Sequence, residues 1–320
     1  MQQIIHKIII LILLVILINN YQPKIKKIEN LEKSNISKNN LKAKNNLYKE
    51  FLKLYIENKE EFYIKGREYL MSLNGKKYND SNIITIQDKL NYLLIHESPE
   101  NKTEIVDKIL LRNYSKKILG EDICAPIIKI YKTPDDINLE ELPEKFVLKC
   151  NHGSQMNIIC KDKKKFDLDN AKKQLRNWMN MNYGLINFEY QYMNVNKKIF
   201  VEKYLGDGIV DYKINCYNGV PHHIRVKKHI NGKNVNNFYN INWTLTEIKF
   251  KYKNYIRDPS VIIPKPKNLQ KMLNYSKILS SNFCYCRVDL YEINDTVYLG
   301  ELTFSPANNL MDYNDQRMRI

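Results

Sequence analysis

The chain has 320 residues, 43% hydrophobic and 27% charged, enough to bury a sizeable core and to suit about two domains. Its formal net charge of +16 invites a nucleic-acid reading, yet only eight of its 51 basic residues are arginine, and these are scattered. No recognition fold or arginine stripe accompanies the charge, so nucleic acid is set aside as a partner. Six cysteines without a CxxC pair likewise read as small buried hydrophobes rather than as a metal centre.

Residues 1–20 read as a signal or anchor segment, with membrane contact expected through residues 4–18. The uninterrupted apolar run, 8–18, is shorter than a ~20-residue span, and no small-residue cleavage site follows it. Lys24, Lys26 and Lys27 after the run, against Lys7 before it, place the body of the protein in the cytoplasm by the positive-inside rule. A cleaved or type II signal would instead make it secreted or lumenal. Residues 21–44 form a basic linker rich in Lys and Asn, and 45–130 a helical region. Leu47, Phe51, Leu54 and Tyr55 recur there at helical spacing. A second amphipathic helix is expected from Thr103 to a stop at Gly120, with Val106, Leu110, Tyr114 and Ile118 on one face.

From Phe146 the texture changes to strands with intervening helices. FVLK and NIIC flank a loop, CNHGSQ, and a helix carrying Ala171, Leu175 and Trp178 inward follows from Asp167. KIFVEKYL, DYKINCY and HHIRVKK read as strands, and a helix capped at Asn268 buries Leu269, Met272 and Leu279. A hairpin, RVDLYEINDTVYLGELTFSP, comes last, and the order describes an α+β protein rather than a regular βαβ alternation. A three-residue turn at 294–296 would set Asp289 across from Glu301 and Arg287 across from Thr303, with Val288, Leu290, Leu302 and Phe304 on the apolar face. Opposed like charges on a sheet cost stability unless something lies between them. A divalent cation with oxygen ligands is one such partner; a solvated strand face is the alternative.

Lys149 ends a strand and runs into Asn151, His152, Gly153 and Ser154, a turn able to cradle phosphates with a lysine as point charge. VEKYLGD reads as an edge strand whose backbone suits an adenine and whose carboxylates suit a ribose. Lys213 and Arg225 are cations able to neutralise phosphate or carboxylate in a shared cleft. His222 and His223 are neighbours on a strand, so they are expected on opposite faces and not in one metal site.

In this order, ELPEKFVLKCNHGS, VEKYL, DYKINCYNG, FYNINW and the final hairpin resemble the ATP-grasp superfamily. Within it they resemble the TupA-like group associated with teichuronopeptide and capsular polysaccharide biosynthesis, from about residue 85 to near the C-terminus. The resemblance implies an ATP-grasp fold, with two α+β subdomains (131–205 as lid, 206–320 with the metal hairpin) enclosing ATP. It implies a ligase that activates a carboxylate as an acyl phosphate for attack by an amine or similar nucleophile, with a carboxylate and an amine-bearing or glycan substrate. On its terms Lys149, His152, Gly153 and Ser154 meet the phosphates, and Glu202, Lys203, Tyr204, Leu205 and Asp207 meet the adenosine. Lys213, Arg225 and Arg287 face the transferring phosphoryl group, and Asp289, Glu301 and Thr303 hold Mg²⁺. Two positions depart from the family pattern: Gln155 and Met156 stand where the loop is usually glycine-rich, and Thr303 stands where Asn is common at the metal. A sugar or glycan kinase, a non-catalytic glycan-binding protein with a degenerate ATP site, and a glycosyltransferase are the alternative readings.

Overall fold

The strands expected from the sequence all form, and with four not expected there, Ile127–Tyr131, Lys233–Asn240, Phe250–Lys251 and Asp312–Tyr313, they pair into three antiparallel sheets among the described residues. The computed structural model describes residues 50–313 apart from 52, 98, 231 and 252–256, so the membrane segment, the linker and Leu47 lie outside the described residues. Among the described residues no helix is long and apolar enough to cross a membrane. The chain divides into two compact units, Met1–Phe62 and Tyr63–Ile320. In the first, Phe51 and Tyr55 pack edge-on against Phe62. The second holds all the sheets.

Strands β1 (Ile127–Tyr131), β2 (Phe146–Cys150), β3 (Asn157–Cys160) and β4 (Ile199–Lys203) form one sheet in the order β1-β4-β2-β3. The next sheet takes β5 (Asp211–Tyr217), β6 (Val220–Ile230) and β7 (Lys233–Asn240). With β9 (Tyr285–Ile293) and β10 (Thr296–Thr303) it runs β10-β9-β5-β6-β7, while β8 (Phe250–Lys251) pairs with β11 (Asp312–Tyr313). Each large sheet has its own core. Helix α5 (Leu168–Met179) lays Ala171 and Leu175 on Phe146, Leu148 and Val201, while α7 (Leu269–Ser280) lays Met272 and Leu279 on Ile214, Val288 and Leu302. Helices α1 (Lys59–Leu73), α2 (Ile86–His96), α3 (Thr103–Val106) and α4 (Leu111–Leu119) precede the sheets, and α6 (Tyr183–Asn187) follows α5. The α+β expectation holds.

Local chemistry changes several details. The helix expected over 103–120 is two pieces, because the Asp107 carboxylate accepts the N–H groups of Ile109 at 2.8 Å and Leu110 at 3.3 Å and starts a new helix there. Gly120, in the left-handed region at φ 81°, ends it as expected. Strand β4 lies between β1 and β2, so VEKYL is an interior strand and not an edge. Asn268 occupies the N-cap position of α7 but makes no side-chain cap; its amide donates to Glu292 Oε1 at 2.7 Å and to the Asp295 carbonyl at 3.0 Å, pinning the helix to the hairpin tip. His222 occupies an irregularity between β5 and β6, which turns it beside His223, with the two Nδ1 atoms 3.1 Å apart. Five of the six cysteines are buried and all are free. Burial pushes the Cys124, Cys150 and Cys216 thiols up to about 12, far from nucleophilic use.

The hairpin turn is shorter than expected. Asn294 and Asp295 both take positive φ, 50° and 62°, the pattern of a two-residue type I′ turn, and pairs from Thr296↔Ile293 to Leu299↔Leu290 follow that register. A bulge at Gly300 then inserts one residue and restores Glu301↔Asp289 and Thr303↔Arg287. Glycine is needed there because a Cβ would stand 2.5 Å from the Tyr291 hydroxyl. Gly300→Ala is therefore expected to cost ~1–3 kcal/mol through overpacking. The check is a lower urea midpoint at unchanged slope; a loss under ~0.5 kcal/mol would show that Tyr291 gives way freely.

Candidate functional site

Two rows of side chains cross one face of the five-stranded sheet. The first is Glu301, Asp289, Lys213, Arg225 and Phe238; the second is Thr303, Arg287, Asn215, His223 and Asn240. Period-two alternation puts them together, since Val288, Leu290, Leu302 and Phe304 are buried on the other face. Asp289, 1% exposed, is the centre of this arrangement. Arg287 grips it as a fork, Nε to Oδ1 at 2.6 Å and Nη2 to Oδ2 at 2.7 Å, and Lys213 Nζ donates to Oδ2 at 2.5 Å. Burial pushes the Asp289 carboxyl up, but the Arg287 guanidinium and the Lys213 ammonium outweigh it and hold it well below the usual carboxylate range.

Glu301 is held more loosely. Its cations are Arg287 at 3.6 Å and Lys108 at 3.7 Å, and the Thr303 hydroxyl donates to it at 3.3 Å. Arg287 Nη2 also donates to the Thr303 oxygen at 3.1 Å, so one guanidinium ties all three proposed metal residues together. Arg225 shares the face but is packed behind Met311, its Nη1 3.3 Å from that sulfur.

The 151–156 loop is built around Asn151. Its amide donates to Asp107 at 2.8 Å and to the Asn196 carbonyl at 2.9 Å, and its Oδ1 accepts the Lys198 N–H at 2.7 Å. His152 and Gly153 are buried. The His152 Nε2–H donates to the Trp178 carbonyl at 3.0 Å, and burial pushes its imidazole down to about 4, so it is neutral. At Gly153 a Cβ would meet the Tyr183 ring at 2.8 Å. Only Ser154 and the left-handed Gln155 of the turn are exposed. Lys108 clasps this loop, donating to the Gly153 carbonyl at 2.7 Å while reaching Glu301.

On the four-stranded sheet Lys149 ion-pairs with Glu202. The same face carries Ile130 and Ile159, 45% and 48% exposed, in the rows defined by Phe200 and Val147. Lys203 is exposed and its N–H is spent on the Pro126 carbonyl at 2.9 Å, while Tyr204 and Leu205 lie just past the last ladder pair. Asp207 pairs with Lys161 on the surface.

A cavity of ≈ 700 Å³ is lined by Ser154 and Gln155 together with Arg287, Glu301 and Thr303. Tyr183, Glu189, Tyr192 and Ser305 line it too. Sequence reasoning missed these four and Lys108. Ser305 continues the alternation of 301 and 303, and Glu189 is a lone acid within FEYQY; Lys108 carries no such mark.

Oxygen donors suit a hard divalent cation. Glu301 presents both oxygens at loose distances. Asp289 spends three of a carboxylate's roughly four lone-pair positions on Arg287 and Lys213, leaving room at Oδ1. Among the described residues no three His, Cys, Asp or Glu side chains converge. The residues fit a cation held by two carboxylates and a hydroxyl, the rest of its shell coming from elsewhere.

Two antiparallel sheets, one bearing Lys149 and the 151–156 loop and the other the Asp289–Glu301 hairpin, make up an α+β fold of the ATP-grasp type. The chain belongs to the TupA-like ATP-grasp family, whose pattern matches residues 88–319. Among solved structures it is similar to N5-carboxyaminoimidazole synthetase from Staphylococcus aureus complexed with ADP, at 16% identity and a TM-score of 0.40, over 66% of this chain and 47% of that one. It is also similar to D-alanine–D-alanine ligase from Bacillus anthracis complexed with ATP, at 18% identity and a TM-score of 0.38, over 70% and 64%. The chain spans about half the length of the synthetases it matches. No curated protein matches it.

The two opposed carboxylates should differ sharply in stability. Asp289→Asn leaves two buried cations uncompensated and is expected to cost ~3–5 kcal/mol. Glu301→Gln breaks only long, partly exposed pairs and should stay within ~1 kcal/mol. Equal losses in denaturant unfolding would overturn this division. Acid sensitivity follows from His152 and from His223, whose burial pushes it down to about 3. Unfolded histidine binds its proton near pH ~6.5, so between that value and the folded one the unfolded state holds more protons. Stability is therefore full above about pH 6.5 and falls as pH drops toward 4. His223→Gln should give a shallower fall in Tm over that window; an unchanged slope would remove His223 as a source.

Proposed function

We propose that the protein is an ATP- and Mg²⁺-dependent ligase that activates a carboxylate as an acyl phosphate for attack by an amine or similar nucleophile. The reading extends to cell-surface polysaccharide or teichuronopeptide-type biosynthesis, with 131–205 acting as the lid and residues 4–18 as a membrane anchor holding a cytoplasmic catalytic region. One observation carries the catalytic part: Ser154 and Gln155 of the phosphate-type loop line the same cavity as Arg287, Glu301 and Thr303. ATP-grasp membership implies ATP binding.

Each residue then has a task. Ser154 and the loop backbone cradle phosphate oxygens, with Lys149 and Lys108 as cations beside them. Exposed Ile130 and Ile159 offer an apolar surface to a base, Tyr204 and Leu205 offer backbone groups, and Asp207 reaches the ribose. Glu301, Asp289 and Thr303 hold Mg²⁺, which supplies neutralisation of phosphate charge. Lys213 and Arg287 face the transferring phosphoryl group, already oriented by Asp289, so little reorganisation is needed when charge develops there. Arg225, behind Met311, backs this row electrostatically. Such chemistry is positioning and charge neutralisation and needs no side-chain nucleophile, in keeping with cysteines buried as inert thiols.

Thermal unfolding of the protein with and without Mg-ATP tests the nucleotide site. Ligand at ~100 times its dissociation constant stabilises by ~2.7 kcal/mol, and Glu301→Gln should lose the Mg²⁺-dependent part of the shift. No shift at millimolar Mg-ATP would favour a glycan-binding role without catalysis. A phosphorylated product without a new amide would favour a kinase.

A further inference from the structure

The cavity carries a second acidic group that the nucleotide reading does not use. Glu189 stands between α6 and the turn at Tyr190–Tyr192, is 6% exposed, and lines the same cavity as Arg287, Glu301 and Thr303. Ser305 Oγ donates to its Oε1 at 2.5 Å and accepts from Gln191 Nε2 at 2.8 Å, and the Tyr183 hydroxyl adds a contact to the same carboxyl. Gln191 is 1% exposed and its Oε1 has no hydrogen-bond partner, while Glu189 receives only neutral hydroxyl donors, from Ser305 and Tyr183.

The nearest cation does not pair with Glu189 directly. Arg67, fully buried on α1, attracts Glu189 through space but its Nε makes no hydrogen bond and its Nη groups are spent elsewhere. They go to the Phe188 carbonyl at 3.3 Å, to Asn91 Oδ1 at 2.5 Å, and to the side chain and carbonyl of Asn308 at 2.7 and 2.9 Å. No Lys, Arg or His nitrogen among the described residues ion-pairs directly with Glu189. By contrast the other acids of the cavity region are served: Asp289 by Arg287 and Lys213, Glu301 by Arg287 and Lys108. A buried carboxylate without a direct cation is costly, and a ligand cation relieves that cost.

We propose that Glu189, with Ser305 and Tyr183 beside it, is the subsite for the protonated amino group of the second substrate. This rests on the ligase reading for its place in the reaction: one cavity then holds both substrates. The ammonium, on passing a proton to the Glu189 carboxylate, becomes the amine that attacks the acyl phosphate, with phosphate leaving as the amide forms. Arg67 keeps the wall in shape: its grip on Asn308 holds 307–309, three consecutive left-handed residues, against α1. Burial raises the Glu189 carboxyl and so favours its neutral form, a preference that an ammonium ligand beside it would reverse.

The test is ligand-observed NMR titration of the full chain with ethanolamine and glucosamine against their uncharged counterparts, ethylene glycol and glucose. The ammonium probes are expected to bind at least tenfold more tightly than the uncharged ones. Glu189→Gln should abolish that preference, and Ser305→Ala, which leaves the charge in place, should keep it. Equal binding of charged and uncharged probes by the wild type, or an unchanged preference in Glu189→Gln, would overturn the proposal. The wild-type comparison decides the matter even if a variant fails to fold. Mg-ATP stabilisation measured on the same samples separates the two readings. Glu189→Gln should retain it, whereas its absence in the wild type defeats the ligase reading and leaves the ammonium preference to stand or fall alone.

Discussion

Arg287, Asp289 and Lys213 form a buried charge cluster at the centre of the five-stranded sheet, and the site is organised around it. Three charges removed from water on two adjacent strands are expensive, and well-packed apolar side chains of similar volume would serve stability as well or better. The cluster is tolerable because its geometry is good: a forked guanidinium, a short ammonium contact, and strands whose opposite face is closed by Val288, Leu290 and Ile214. Within it Asp289 takes three short hydrogen bonds, while Glu301, one strand over, has only longer contacts. One acid is mostly spent on its neighbours, with room only at Oδ1, and the other is largely available, although the two stand in direct register.

Much of this was legible from alternation. The apolar set on one side of the hairpin fixes the parity of Arg287, Asp289, Glu301 and Thr303, because a one-residue slip would turn those hydrophobes to solvent. That is why the opposed pair is found where the sequence places it even though the turn has two residues and not three. What escaped was chemistry that leaves no period. Asp107 breaks a helix whose apolar spacing continues across the break. His152 looks like a phosphate contact in a turn, but it points inward because the Trp178 carbonyl and the Asn151 scaffold hold it there. The Asn308 and Asn309 side chains, in what reads as a featureless tail, are tied to the N-terminal helices through Arg67 and Asn91.

Those non-local ties explain why the cavity is a property of the whole second unit rather than of one sheet. Lys108 comes from the break between α3 and α4, Glu189 from the turn after α6, and Ser305 from just past β10. Each lies far from the others in sequence, so nothing short of the folded chain brings them together. The hairpin side of the cavity is written in strand alternation, and the Glu189 side is written in tertiary contacts.

The bulge at Gly300 gives the hairpin a mechanical property beyond close packing. It divides the ribbon into a tip, pinned to α7 through Asn268 and Glu292, that follows one register and a base, with the carboxylates, that follows another. A residue gained in the turn and the bulge residue lost would cancel, leaving Glu301 opposite Asp289. Either change alone would carry the acid to the apolar side. The hairpin thus contains a vernier: turn length and bulge together, and neither alone, set the alignment of the acidic pair.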